Sequence, residues 1–339
     1  MKTALITTTI NVPTVLALYR KLGPDVKFFV AADEKTPLAA YEFCADIPNC
    51  EIYSPDRQRD LGYACSELLG WNNDSRRDIA LLEAVKHGAE IVVSVDDDMI
   101  PTDIDFFERV EMTLSEPYSG LQLGAPGGWF DAGQFTVPIA SQRGLPEQYW
   151  SGRSYGHVVD AQIGAMQGII LGIPDTGAST TMRAHPFVKS ATDILRNGFV
   201  VDPLAKSVFN SQITAFRREL APCFAQFYKW QSRNTDIFAS LVMRRVMRER
   251  GLCTYFGPPT GFHNRSARDP VKDMEAEKWG MVNVVAFENC LNDTELHPGD
   301  SVAAHTAYLY DAVAGKTGIV SVDMLGAVFA FLDDMRAVL

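Results

Sequence analysis

No apolar run in the 339-residue sequence reaches the roughly 18 residues that a bilayer-spanning helix needs. Nor is there a C-x-x-C pair: none of the six cysteines (Cys44, Cys50, Cys65, Cys223, Cys253 and Cys290) stands with histidine at zinc-site spacing. Basic residues are outnumbered, 31 Lys and Arg against 42 Asp and Glu, a net charge of -11. That balance excludes a general nucleic-acid-binding surface but leaves room for a small, locally basic phosphate pocket. There is no internal repeat, low-complexity tract or linker, and no glycine-rich phosphate loop with a basic residue near the N-terminus, which counts against a nucleotidyltransferase. The strand-like Ala4-Leu5-Ile6 follows the N-terminus at once and leaves no room for a signal peptide. The expected location is therefore the cytoplasm, with reduced thiols and no membrane partner. Cys44 and Cys50 could bridge only in an oxidising compartment.

What is present is an ordinary globular composition, 47% hydrophobic and 22% charged, long enough for one large domain or two smaller ones. Strand and helix signals alternate over the first hundred residues. Strands are expected at Thr3 to Thr9, Val26 to Ala32, residues 51–54 and Glu90 to Val95. Helices are expected from Val15 to Leu22, with Asn11 as cap, and from Asn73 or Asp74 to His87. This order predicts an α/β fold with a mostly parallel sheet flanked by helices. The stretch from Pro117 to Trp150 has no clear period. Later signals are a strand at Met166 to Ile173, a helix at Asp236 to Arg250, a short strand at Thr254 to Phe256, and helices at roughly 300–314 and 320–338.

The strand ending at Val95 delivers three aspartates, Asp96, Asp97 and Asp98. Like charges at the end of a buried strand repel and cost desolvation energy; a divalent cation removes both penalties, and Mg²⁺ or Mn²⁺ prefers hard carboxylate oxygens. Asp96 and Asp98 have the D-x-D spacing that turns alternate strand-end side chains the same way, and ligands of open α/β sheets sit beyond such strand ends. The reading is a cation that also binds a diphosphate; the alternative is a solvated acidic turn.

Other candidates surround it. His263 could be a further metal ligand, or an exposed turn histidine, and Arg265 or Arg268 could meet phosphate. Arg76 and Arg77 open the helix before the aspartate strand, where guanidinium suits phosphate or base recognition, or simply a solvated face. Asp33, ending the second strand, could bond a base or ribose, or act as a cap. Asp236 could be a general base for an acceptor hydroxyl, or merely a helix-start aspartate. Trp129, Phe130, Tyr149, Trp150, Tyr155, Tyr228 and Trp230 could form an acceptor platform, with more than half expected in the core.

Several segments in the same order over residues 3–280 resemble the reversibly glycosylated polypeptide / UDP-arabinopyranose mutase family of GT-A glycosyltransferases. They are Ile6-Thr7-Thr8-Thr9-Ile10-Asn11, Arg77-Asp78-Ile79 followed by Asp96-Asp97-Asp98, Gln167 to Asp175, and His263 to Arg268. The resemblance implies a GT-A domain over 1–280; residues 281–339, which carry no resemblance, are expected from their helical signals to form a C-terminal extension packed on it. It also implies a UDP-linked nucleotide-sugar donor and Mn²⁺ or Mg²⁺ at Asp96, Asp98 and His263. Nucleotide-sugar contacts would come from Thr8, Thr9, Asp33, Arg76, Arg77, Asp96, Asp97, Arg265 and Arg268, with Asp236 on the acceptor side. The family's mutases carry an arginine ten residues before the glycine matching Gly168, a position held here by Val158; Arg153 is the nearest arginine and could serve only with a local gap. Transfer to a separate, unidentified acceptor is therefore expected. The alternatives are a UDP-sugar mutase or self-glycosylating protein, and a non-catalytic sugar-nucleotide-binding subunit. A homo-oligomer is compatible with all of these.

Overall fold

Alternating apolar runs and helix signals over the first hundred residues form β1 (Thr3–Thr9), α1 (Leu16–Leu22), β2 (Lys27–Ala32), α2 (Leu38–Ala45), β3 (Cys50–Tyr53), α3 (Pro55–Asp60), α4 (Cys65–Leu69), α5 (Arg77–Lys86) and β4 (Ile91–Val95). The computed structural model describes residues 2–126, 128–150, 153–184, 186–226, 233–264 and 269–339. The chain continues with β5 (Ile100–Pro101), α6 (Phe106–Ser115), β6 (Tyr118–Gly124), β7 (Thr136–Val137), β8 (Tyr155–Gly172), α7 (Ala178–Ala184), β9 (Ser190–Ala191), α8 (Asp193–Asn197), β10 (Phe199–Val201) and β11 (Ile213–Arg217). It closes with α9 (Thr235–Glu249), β12 (Leu252–His263), α10 (Pro270–Asp293), α11 (Val302–Thr317) and α12 (Val322–Val338).

Local chemistry sets many boundaries. Ser54 accepts from the Arg57 N–H with Pro55 behind it, and Asn73 accepts from Ser75 N to start a 3-10 turn, Asp74–Arg76, that leads into α5. Ser301 and Ser321 cap α11 and α12 in the same way. Asn11 does not cap α1, whose entry residue is Val15; its N–H instead meets Thr9 Oγ1.

Among the described residues, ten strands make one sheet in the order β3-β2-β1-β4-β11-β8-β6-β10-β12-β5. The first four are parallel. β11 lies antiparallel between β4 and β8, so β8 again runs with β4, and β12 is parallel to β8. The carboxyl ends of β1, β2, β4, β8 and β12 therefore share one edge, which also receives the start of β11. β8, β6, β10 and β12 pair in succession and β12 returns to β8, a closed ring of strands beyond the parallel half.

β8 and β12 are longer than their apolar runs. The first residues of β8, Tyr155 to Val158, are exposed and carry no apolar alternation. In β12, Gly257-Pro258-Pro259 reads as a stop, yet the strand continues through register shifts on either side of Pro259. α10 runs through residue 280 without interruption. Leu309 and Tyr310 of α11 and Phe331 and Met335 of α12 join Ile79, Val92 and Phe224 in one buried cluster. Among the described residues no helix is long and apolar enough to cross a membrane. The six cysteines are free, and all but Cys50 are buried.

Candidate active site

Backbone pairing assembles the shared edge. β5 lies against the end of β12 with Ile100 opposite Phe262, which brings His263 to the aspartate triplet 165 residues away in sequence. His263 Nε2 is 2.9 Å from Asp98 Oδ2. The imidazole is buried at 3% exposure, whereas the Asp98 side chain is 60% exposed. The far nitrogen, Nδ1, is buried with no partner among the described residues. Gly172 sets the fit behind this pair. It has φ +80 and lies against the His263 carbonyl, where a Cβ would clash. The Ile173 N–H donates to that same carbonyl at 2.9 Å.

The other two aspartates are held from the parallel half. Thr9 Oγ1, at the end of β1, donates to Asp97 Oδ2 at 2.5 Å. Burial raises the Asp97 pKa, and the Thr9 bond offsets part of that. Arg77, fully inside at the start of α5, donates from Nη2 to Asp96 Oδ1 at 2.6 Å and from Nη1 to Ser94 Oγ and the Ser211 carbonyl. Burial works against its charge, but Asp96, Asp74 and Asp236 outweigh it and leave the guanidinium pKa above its ordinary value.

A second group of charges continues from Ser211. Its N–H donates to Asp236 Oδ2 at 3.2 Å, and Arg143 Nη2 reaches both Asp236 oxygens at 3.1 and 3.0 Å. Arg143 Nε bonds Asp175 at 2.6 Å, and Arg233 joins Asp175 to Glu277 at 3.0 and 2.8 Å. Desolvation opposes the Arg143 charge, but Asp175, Asp236 and Glu277 raise its pKa on balance. The chain Asp96–Arg77–Ser211–Asp236–Arg143–Asp175 thus ties the D-x-D segment to the aperiodic middle of the sequence.

Several expected contacts have other work. Asp33 is 1% exposed, and its oxygens accept from the N–H groups of Glu34, Asn72 and Asn73. It fastens the loop ahead of α5. Arg76 is fully buried, and its donors are consumed by Gln58, Ser66 and the Gly70 carbonyl, with Trp71 stacked against the guanidinium; no N–H remains for a phosphate. Thr8 donates to the Ala31 carbonyl. Asp236 accepts from Arg143, Ser211 N and Ile237 N, which tie it to the start of β11 and to the 141–150 loop. Arg153 precedes Tyr155 at the start of the 18-residue β8, and Val158 is paired with Leu121 near that end, opposite the end next to His263. Neither belongs to the aspartate site. Of the aromatics, Trp129 and Phe130 are core, while Tyr149, Trp150 and Tyr155 are exposed. Arg265, Arg268, Tyr228 and Trp230 lie outside the described residues.

The sequence reading passed over Asp74 as a helix cap. Crowding of its carboxyl by the surrounding protein, helped by Asp236 and Asp96 and opposed by Arg77, raises its pKa to about 6. Arg143 was also missed, because it sits in the segment without periodicity and no local motif marks it.

Among the described residues no group of three or more His, Cys, Asp and Glu side chains is arranged to hold a metal. The Asp98–His263 pair nonetheless fits a cation that brings its other ligands with it. The two atoms are hydrogen-bonded to one another at 2.9 Å, and an imidazole nitrogen and a carboxylate oxygen are both donor types that a divalent cation would accept, with its other ligands coming from water and substrate phosphate.

No protein-family model and no curated protein matches the chain. Solved structures similar to it include glucosyl-3-phosphoglycerate synthase from Mycobacterium tuberculosis in complex with Mn²⁺ and UDP-glucose, at 10% identity over 84% of this chain and 78% of that one, with a TM-score of 0.46. A mannosyltransferase from Pyrobaculum calidifontis in complex with GDP-Man and Mn²⁺ aligns at 14% identity over 97% and 85%, with a TM-score of 0.38. TarS of S. aureus in complex with UDP-GlcNAc aligns at 11% identity over 99% and 82%, with a TM-score of 0.43. Likeness at this level assigns neither family nor activity to the chain.

Proposed function

We propose that the chain is a metal-assisted glycosyltransferase of GT-A type that moves a sugar from a nucleotide sugar, UDP-linked, to a separate acceptor. The observation that carries this reading is the Asp98–His263 pair at the carboxyl edge of the sheet, 2.9 Å between donor atoms and open to solvent on the aspartate side. Asp98 and His263 would hold the cation. The mixed oxygen and nitrogen donors favour Mn²⁺ over Mg²⁺, which prefers oxygen alone. When bound, the cation supplies charge neutralisation for a departing nucleoside diphosphate.

The chain's own residues do the positioning. Arg77 fixes Asp96 against Ser211 and keeps the strand end from splaying. Thr9 fixes Asp97, so only Asp98 of the three is left well exposed. Arg153 and Val158, at the far end of β8, give no support to mutase or self-glycosylating chemistry.

In the test, UDP with Mn²⁺ raises the melting temperature of the intact protein, corresponding to about 2.7 kcal/mol at a hundredfold excess over Kd. Asp98→Ala and His263→Ala each abolish the Mn²⁺-dependent part of that shift. If both variants keep it in full, the site is elsewhere. A protein that binds UDP-sugar through these residues but releases no UDP with any acceptor would be a binding subunit.

A further inference from the structure

Of the six free cysteines, two meet each other. Cys44 stands in the last turn of α2 and Cys50 opens β3, with residues 45–49 between them. Their thiols are hydrogen-bonded to one another. The backbone pins both sides of the connection. The Ile47 N–H donates to the Cys44 carbonyl at 3.2 Å, and the Phe28 N–H donates to the Asn49 carbonyl at 2.8 Å. Cys44 is fully buried, whereas Cys50 is partly exposed. Arg20 lies beside Cys50. Its guanidinium sits 3.9 Å from the centre of the Phe28 ring, and Nη1 donates to the Gly23 and Pro24 carbonyls. Its Nε and Nη2 are buried without a hydrogen-bond partner among the described residues. A thiolate at Cys50 is stabilised by such a cation. The hydrogen bond lowers the Cys44 pKa against burial and raises that of Cys50, whose thiolate Arg20 favours in turn. The remaining cysteines are placed differently. Cys223 bonds Thr306, and Cys290 bonds the Ala312 carbonyl. Burial raises the pKa of Cys65, of Cys223 to about 12 and of Cys253 to about 11. Buried thiols of that kind are inert.

We propose that Cys44 and Cys50 form a redox-active dithiol, closing to a disulfide by exchange with a low-molecular-weight disulfide such as oxidised glutathione and so latching α2 to β3. The assignment is independent of the glycosyl-transfer reading. The Cys50 thiolate attacks one glutathione sulfur. A protein–glutathione S–S bond forms, the glutathione S–S bond breaks, and the first glutathione thiolate leaves and takes up a proton. Cys44 then attacks Cys50 Sγ, which forms the Cys44–Cys50 bond and releases the second glutathione. Two protein thiols are oxidised and one small disulfide is reduced to two thiols, which carry the two protons away.

Thiol trapping tests it. The folded, full-length protein is incubated with oxidised and reduced glutathione at graded ratios, alkylated with iodoacetamide in urea, and read by intact mass and peptide mapping. Two of the six thiols are expected to escape alkylation, joined as one Cys44–Cys50 peptide pair, and to return in full when dithiothreitol is added. Cys44→Ser removes the resolving thiol, so Cys50 is expected to be trapped as the mixed disulfide, a gain of about 305 Da. The parent protein alone decides whether the bridge forms, so the result does not depend on the variant folding. Six alkylated thiols at about a tenfold excess of oxidised over reduced glutathione would overturn the proposal. So would a bridge or adduct that forms first at another cysteine, or a Cys44–Cys50 bridge that forms only after urea has unfolded the chain.

Discussion

Residue by residue, the site is a set of carboxylates with different assignments imposed by their neighbours. Asp33, Asp97 and Asp236 are each held by named donors, whereas Asp98 is exposed opposite a buried imidazole. Asp131 shows what burial does even against several donors: desolvation raises its pKa to about 6, against the pull of the Gln142 N–H, the Ser141 side chain and the Gly133 N–H. Its folded pKa lies above the unfolded value near 3.8, so the folded state binds more protons between the two. Stability is therefore highest below the lower value and falls as pH rises towards the upper one, by up to about 3 kcal/mol for this group. Urea unfolding of Asp131→Asn at pH 4 and pH 7 is expected to show a correspondingly flatter pH dependence than the parent. An identical slope in both proteins would mean that Asp131 is ionised at no extra cost.

Between elements, charge pairs act as rivets where apolar packing alone would leave orientation loose. Arg244 of α9 and Glu288 of α10 form a buried ion pair, and Arg244 also reaches the carbonyls of Pro203 and Ala205. Burial dominates both partners, lowering the arginine pKa and raising that of the glutamate. A pair of this kind contributes little net stability when intact but costs much when halved. Arg244→Met alone should destabilise by roughly 3–5 kcal/mol, and Arg244→Met combined with Glu288→Leu by far less. Chemical denaturation of both variants measures this. Equal losses would show that the helix contact depends on the charges themselves.

For the whole molecule, the C-terminal helices and the sheet share one interior. α12 packs on α4 and α5, α11 packs on α9, and Leu309, Tyr310, Phe331, Leu332 and Met335 are all at 1% exposure or less. A chain ending at residue 293 would expose the α5 and α9 faces to water. It is expected to be recovered aggregated or largely unfolded, and the full chain should unfold in a single transition by both circular dichroism and Trp fluorescence. A well-folded shortened chain with a cooperative melt would instead mark residues beyond 293 as a separable extension.

Periodicity and end signals by themselves determined the βα alternation of the first hundred residues, the position of the aspartate triplet at a strand end, and the helices near 235–249, 302–317 and 322–338. These depend on spacing within a few turns of chain, which sequence displays directly. Triplet and histidine could be named as candidates from their residue types, but their meeting at 2.9 Å depends on β5 pairing with β12. Only the tertiary structure decided which donors each of these acids meets. The N–H donors and the arginine that hold Asp33 and Asp236 come from positions as remote as 72 and 143, which no local pattern displays. A cavity behind Arg143 was hidden for the same reason: its walls come from the aperiodic loop, a short helix and α10, and no local pattern records a surface made by three distant segments.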